Sequence, residues 1–71
     1  MATIEARMQP HQERVVEEEK ALREKFDKLN AFLIGDTFKT VSDQDGDLLR
    51  RQHRHMGAYL DVLVERIARF G

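Results

Sequence analysis

A chain of 71 residues forms one domain at most and buries too little surface to build a large core of its own. Because it contains no cysteine, neither a disulfide framework nor a thiolate metal site can supply the missing stability, and self-association is expected to do so. The formal net charge of −1, with 35% charged residues, is too balanced for the broad positive field of a general nucleic-acid binder.

The N-terminal segment, residues 1–9, is either a tail or a short helix capped by Thr3, and Pro10 separates it from the rest of the chain. It lacks the apolar core of a signal peptide, and no run of about 18 apolar residues occurs anywhere in the sequence. We therefore expect a cytoplasmic protein that does not enter a membrane.

A first helix is predicted over residues 10 to about 34. Pro10 suits its first turn, where a missing N–H costs nothing, and the glutamates of the first half match the positive end of the helix dipole. Apolar residues recur at helical intervals and form one narrow stripe, consisting of Val15, Leu22, Phe26, Leu29 and Leu33. The helix should therefore bury this stripe against a partner helix.

A turn is predicted over residues 35–42. Gly35 follows the last periodic residue and is expected to take the left-handed conformation that ends many helices. Asp36 can cap the single turn "DTFK", whose Phe38 would fold back over the end of the hairpin. The sequence "SDQD" resembles a capping box that begins at Ser42, so a second helix should start near Asp43.

The second helix is predicted over residues 43–70. Along it runs a seam whose members alternate steps of three and four, namely Leu49, Gln52, Met56, Tyr59, Leu63, Ile67 and Phe70. The short turn makes the two helices antiparallel. Leu48, Leu60 and Val64 widen this face on one side and Val62 lies beyond it on the other, which is more apolar surface than one facing helix can cover.

The predicted fold is therefore all-α: residues 10–71 form an antiparallel two-helix hairpin that assembles into a homo-oligomeric helical bundle with coiled-coil-like packing. The predicted oligomer interface consists of Leu48, Leu60, Val62, Val64, Ile67 and Phe70. Two polar residues interrupt the seams. Glu19 either bends out to water or accepts a hydrogen bond from Tyr59, His55 or Arg66, and Gln52 faces Phe26 by the same register.

The basic residues of "LLRRQHRHMGAYLDVLVERIARF" fall into two groups on a helical projection. Arg50 and Arg54 point away from the seam and are expected to be solvated, whereas a second group lines one flank of the seam beside the joint between subunits. The N–H groups at the start of the first helix can also attract an anion, although every helix has such an end. The predicted ligand-binding residues are His11, Arg14, Arg51, His55, Tyr59, Arg66 and Arg69.

Metal binding and catalysis find no support in the spacing of the reactive residues. His53 and His55 point about 200° apart on a helix, whereas helical zinc sites use a spacing of four. Ser42 is the only serine and is explained as a cap, and no acid, base and nucleophile converge on the projection. We expect no metal, no cofactor and no enzymatic activity.

The segments "PHQERVVEEEKALREKFDKLNAFL" and "LLRRQHRHMGAYLDVLVERIARF", joined by a turn containing Phe38, resemble small phage-encoded helical-hairpin proteins over residues 8–70. The layout is also similar to that of phage anti-CBASS and anti-Thoeris sponge proteins. This resemblance implies a homo-oligomer in the cytoplasm of an infected bacterium that sequesters a cyclic nucleotide signal between protomers. It further implies that Arg14, Arg51 or Arg66 meets the phosphates and that Tyr59 or a histidine stacks on the base.

Two other functions remain open at the level of the sequence. The surplus apolar face around Leu60 and Val64 could dock on a host or phage protein, which would make the chain an interaction module or inhibitor. Nucleic-acid binding through "RRQHRH" rests on local charge, and the acidic run Glu17 to Glu19 argues against it.

Overall fold

The computed structural model describes residues 9–70, which form two long helices joined by a short helical turn. Helix α1 spans Pro10–Leu33, a 3₁₀ helix spans Asp36–Thr40, and helix α2 spans Asp43–Ala68. This part of the chain contains no strand, so the predicted all-α hairpin is confirmed. The short helix considered for Thr3 falls outside the described residues.

The start of α1 is closed by side-chain and backbone groups of its own first turn. The N–H of Gln9 donates to Oε1 of Gln12 at 2.9 Å. The N–H groups of Gln12 and Glu13 in turn donate to the carbonyl oxygen of Gln9, at 2.9 and 3.0 Å. Pro10 occupies the first helical position, where it lacks only an N–H that the helix does not use.

The end of α1 differs from the prediction for Gly35. This glycine has φ −91° and ψ 169°, which is extended backbone, so the left-handed closure was wrong. The helix ends instead at Ile34, whose N–H donates to the carbonyl oxygen of Asn30, and Gly35 then leads directly into the 3₁₀ helix. A Cβ at Gly35 would lie 3.2 Å from the carbonyl oxygen of Ala31, so the close approach of the backbone accounts for a glycine here.

Aromatic packing covers the turn end of the hairpin, as predicted for Phe38. The rings of Phe32 and Phe38 meet edge to face, with centroids 6.1 Å apart. The Phe38 ring also lies close to Gly46, where a Cβ would come within 3.2 Å of it, and the Arg50 guanidinium sits 4.9 Å above its centroid. The turn is thereby fixed to the first turn of α2.

Helix α2 begins at the residue that the capping signal predicted. The Oγ of Ser42 accepts a hydrogen bond from the N–H of Asp45 at 3.2 Å, and the N–H of Gly46 donates to the Ser42 carbonyl oxygen at 2.8 Å. Asp43 and Asp45 lie in the first turn, where the helix dipole favours negative charge.

The two helices pack antiparallel along one stripe of α2, which we call the inner stripe. Its members are buried or half-buried and alternate steps of four and three: Leu49, His53, Met56, Leu60, Leu63, Ile67 and Phe70. The predicted seam placed Gln52 and Tyr59 in this stripe, and both are exposed. His53 and Leu60 occupy the corresponding positions, while the other five members of the predicted seam lie in the inner stripe as expected.

The core of the hairpin is small. Among the described hydrophobic side chains only Val15, Leu60 and Leu63 are buried, with exposed fractions of 6%, 5% and 0%. The other apolar residues of the α1 stripe, Leu22, Phe26, Leu29 and Leu33, are half-buried. Two helices lying side by side cover each other along one line only, so much apolar surface stays in contact with solvent.

Candidate anion-binding surface on the second helix

A second stripe of α2 lies beside the inner stripe and is exposed along its length. We call it the outer stripe, and it consists of Leu48, Gln52, His55, Tyr59, Val62, Arg66 and Arg69. Its members again alternate steps of four and three, each one residue before a member of the inner stripe. The outer stripe therefore has the geometry of a helix-packing face but makes no contact with α1 that buries it.

The apolar members of the outer stripe are large residues with much of their surface in solvent. Leu48 is 56% exposed, Tyr59 is 44% exposed and Val62 is 53% exposed. The Tyr59 ring lies between His55 and Val62 along the stripe, since residues three and four apart are neighbours on a helix surface. An aromatic ring flanked by a second ring and an aliphatic side chain offers a flat partner a surface on which to stack.

The basic residues on this side of α2 have no carboxylate partner within the described part of the chain. Ion pairs within 4.0 Å join Glu19 to Arg23, Glu24 to Lys28, Asp36 to Lys39 and Asp47 to Arg50. Arg51, His55, Arg66 and Arg69 are exposed and belong to none of these pairs. Their side chains can therefore meet a phosphate or carboxylate from outside without first breaking an internal ion pair.

The start of α1 contributes less than the sequence suggested. His11 and Arg14 are exposed, and antiparallel packing puts them at the same end of the hairpin as Arg66 and Arg69. The N–H of Gln12, however, already donates within the first turn, and Pro10 has none to offer. Anion binding at this end would therefore depend mainly on side chains.

Glu19 does not reach across to α2. Its Oε2 accepts a hydrogen bond from Nε of Arg23 at 2.6 Å, one turn further along α1. Within the described residues it has no hydrogen bond to Tyr59, His55 or Arg66, so the cross-helix alternative is not the one that the structure shows. Its side chain is only 14% exposed, and Arg23 folds over it from the solvent side.

His53, which the predicted seam did not include, packs against α1. Its ring stacks on that of Phe26, with centroids 4.5 Å apart and an interplanar angle of 18°. Its Nε2 lies 3.1 Å from Oδ1 of Asn30, which is hydrogen-bond distance. Gly57, one turn later, makes room for the same phenyl ring, since a Cβ there would lie 3.3 Å from Cε1 of Phe26. His53 is thus part of the helix interface, whereas His55 faces solvent.

The residues predicted for an oligomer interface divide into three groups. Leu48, Val62 and Val64 are exposed, and Val64 lies on the side of α2 away from the outer stripe. Ile67 and Phe70 are half-buried in the inner stripe. Leu60 packs inside the hairpin and offers almost no surface to a second copy, because α1 already covers it.

Metal ligation and membrane spanning can each be judged from the described residues. No group of three or more histidine, aspartate or glutamate side chains between residues 9 and 70 has an arrangement that could hold a metal ion. Over the same range, neither helix is both long enough and apolar enough to cross a membrane.

These features define a small all-helical hairpin with an exposed face that combines arginine, aromatic and aliphatic side chains. The family model for Sequestin matches residues 9–69, which covers both helices, so the chain belongs to the Sequestin family. No curated protein and no solved structure matches the chain. The family name suggests sequestration of a ligand or partner, and the whole outer stripe lies within the matched range.

Proposed function

We propose that this protein is a non-enzymatic, phage-type anti-defence protein that binds and sequesters a small anionic nucleotide, such as a cyclic nucleotide signal, between subunits of a homo-oligomer in the bacterial cytoplasm. The observation that carries the proposal is the outer stripe, where an exposed tyrosine and aliphatic residues lead to two unpaired arginines, Arg66 and Arg69, at one end. A nucleotide presents these two chemistries, a charged phosphate and a flat base.

The phosphate would be held by arginine side chains. Arg66 and Arg69 lie about one turn apart near the end of α2, so both guanidinium groups can approach one phosphate. Each guanidinium presents planar donors that match two phosphate oxygens, and these charge-assisted hydrogen bonds are the strongest available on a surface. Arg14 and His11 at the same end of the hairpin add to the positive field.

The base would stack on Tyr59, which is the only tyrosine of the chain. Stacking of a base on an aromatic side chain contributes about 1–3 kcal/mol and tolerates any base. On a single exposed helix, one face of the base would remain in water. A second subunit that covers this face would exclude the water, which explains why binding is expected at a subunit interface.

Sequestration requires no chemistry on the ligand. A protein that holds a signal at a Kd below the concentration at which the signal activates its receptor removes it by mass action. Ser42, the only serine, is committed to capping α2 through Asp45, and His53 is committed to Asn30 and Phe26. The exposed polar residues of the outer stripe serve binding in this proposal.

Calorimetric titration with a panel of cyclic dinucleotides, cyclic trinucleotides and ADP-ribose derivatives tests the proposal. We expect binding of at least one compound at micromolar Kd or tighter, and recovery of the intact compound after the protein is denatured. Arg66→Ala and Tyr59→Ala should each weaken binding about tenfold. Arg54→Ala removes an equally exposed arginine outside the outer stripe and should leave the Kd unchanged. Absence of any binding below about millimolar would refute the proposal.

The exposed Leu48 and Val62 favour a second candidate function, in which the outer stripe docks on a protein of the host or phage. This candidate predicts that Leu48→Glu abolishes capture of a defined protein partner, while Arg66→Ala leaves it largely intact. Nucleotide sequestration predicts the opposite order of importance, because the aromatic ring and the arginines would then dominate.

A further inference from the structure

We infer that the outer stripe packs against the outer stripe of a second copy of this chain, antiparallel and about a two-fold axis level with Gly57. This inference rests on the proposed function only in its premise that copies of the chain associate. It specifies which face of α2 forms the contact, that the two helices run antiparallel, and which residues lie opposite one another. The spacing of the outer stripe and the charges beside it both favour this pairing.

The spacing identifies the occupant as another helix. Alternating steps of three and four over several turns keep one face of a helix turned toward a neighbouring helix, and α1 uses the same spacing in the inner stripe. The outer stripe continues this pattern from Leu48 to Arg69, the residue that directly follows the end of α2 at Ala68. With α1 on the inner stripe and a second α2 on the outer stripe, two hairpins form a four-helix bundle.

The charges select the antiparallel direction. The first turn of α2 carries Asp43 and Asp45, with Asp47 one step further, whereas its end carries Arg66 and Arg69. Parallel packing would place the acidic turns of both copies together and the arginines together. Antiparallel packing places the acidic start of each α2 beside the arginines of the other, and Asp45 then lies at the level of the partner's Arg69.

A single pair of charges beside the stripe selects the register. Arg51 and Glu65 both lie on the flank of the outer stripe that faces away from α1, and both are exposed without an ion pair inside the described chain. With the axis level with Gly57, Arg51 lies opposite the partner's Glu65, and the symmetric pair forms at the other end. Moving the register by one heptad in either direction separates these residues.

The same register is favoured by the small residue nearest the axis. Ala58 lies between Arg51 and Glu65 on the same flank, and it meets the partner's Ala58 across the two-fold axis. An alanine at this point lets the two helices approach closely. In the interface between the two outer stripes, His55 of each copy lies beside the partner's Tyr59, and Gln52 lies beside the partner's Val62.

Without a nucleotide these groups pack on one another, and a bound nucleotide would enter the interface between the two outer stripes, where groups from both copies surround it. Tyr59 and Arg66 come from one subunit, while His55 and Leu48 come from the other and lie next to them at the joint. The two-fold axis generates a second, equivalent surface. One hairpin alone would present only half of each surface, so ligand binding and dimerisation should be coupled.

Site-specific crosslinking tests the register directly, since the chain has no cysteine of its own. Ala58→Cys, treated with a short bismaleimide at dilute protein concentration, should give a covalent dimer in high yield. Ala21→Cys places the thiol on the exposed side of α1 and serves as the matched control. Equal yields from the two variants, or sedimentation equilibrium that shows a monomer or a trimer, would overturn the inference.

A charge exchange provides a second, independent test. Arg51→Glu and Glu65→Arg should each weaken the dimer about tenfold, because two attractive pairs become repulsive, and the double variant should recover to within about threefold of the original. Arg54→Glu is the control and should leave the dimer Kd unchanged. Additive losses in the double variant would contradict this register.

The measurements are made without nucleotide, with circular dichroism confirming that each variant is helical. A dimer of this register that binds no nucleotide would support this inference and refute the proposed function. An oligomer of another register that binds nucleotide would refute this inference alone.

Discussion

The inner and outer stripes of α2 have the same spacing and lie one residue apart, yet only one of them packs inside the hairpin. The inner stripe contains Leu60 and Leu63, which α1 buries, and the outer stripe contains Tyr59 and Val62, which remain in solvent. A pattern of three-residue and four-residue steps therefore indicates that a helix face can pack, but it does not identify the neighbour. The contacts of particular side chains determine which face packs against α1.

Replacement of the most deeply buried side chain should produce the largest change. Leu63→Ala removes a side chain with 0% exposure from the inner stripe and should lower the free energy of unfolding by about 3 kcal/mol, since it leaves a cavity between the helices. Val64→Ala, next to it but 44% exposed, should cost less than about 0.5 kcal/mol. Urea unfolding followed by circular dichroism, at matched dilute concentration, measures both. Equal losses would mean that the inner stripe is not the packed one.

The close approach of the helices at Gly57 gives the next largest effect. A Cβ at this position would lie 3.3 Å from Cε1 of Phe26, so the branched side chain of Gly57→Leu must push the phenyl ring aside. We expect a loss of about 2 kcal/mol, even though replacing a helical glycine normally stabilises a helix. Ala68→Leu, on an exposed part of α2, should change stability by less than about 0.5 kcal/mol. A more stable Gly57→Leu variant would show that the two helices are not in contact here.

His53 lies in the inner stripe and His55 in the outer stripe, so the same substitution at each position compares the two faces. His53→Ala loses the stacking on Phe26 and the hydrogen bond to Asn30 and should cost about 1.5 kcal/mol. His55→Ala removes an exposed ring and should cost less than about 0.5 kcal/mol in the isolated hairpin. Thermal unfolding of both variants measures the difference. A larger loss for His55 would assign the packed face to the outer stripe.

Much of the hairpin could be predicted because local signals determine it. Pro10 fixes the start of α1, Ser42 fixes the start of α2, and Phe38 covers the turn by packing on Phe32. The antiparallel arrangement follows from the short connection. These features depend on chemistry within a few residues of the chain, which a single sequence contains.

The misplaced residues depend on contacts between distant parts of the chain. Gln52 and His53 are both polar and adjacent, and only the ring of Phe26 on the other helix selects His53 for the interface. Gly57 could have given a signal, because a glycine inside a helix often marks a close approach. Helical geometry alone puts the exposed ligand candidates on a common side of α2, namely Arg51, Arg66 and Arg69. Their position could be predicted because it depends on no contact with another helix.

The smallest expected effect concerns the polar residue within the α1 stripe. Glu19 pairs with Arg23 on its own helix, and Arg23 is about half exposed, so Arg23→Gln should lower the free energy of unfolding by only about 0.5 kcal/mol. Tyr59→Phe and Arg66→Gln should then have no measurable effect on the isolated hairpin, since neither side chain reaches Glu19. Urea unfolding at low salt gives the best resolution, because screening weakens the pair. The opposite result, a loss for Tyr59→Phe and none for Arg23→Gln, would mean that Glu19 turns toward α2 and that Tyr59 faces the inside of the hairpin. Tyr59 would then be unavailable both for stacking on a base and for packing against a second copy, so this small difference bears on the binding surface as well as on the fold.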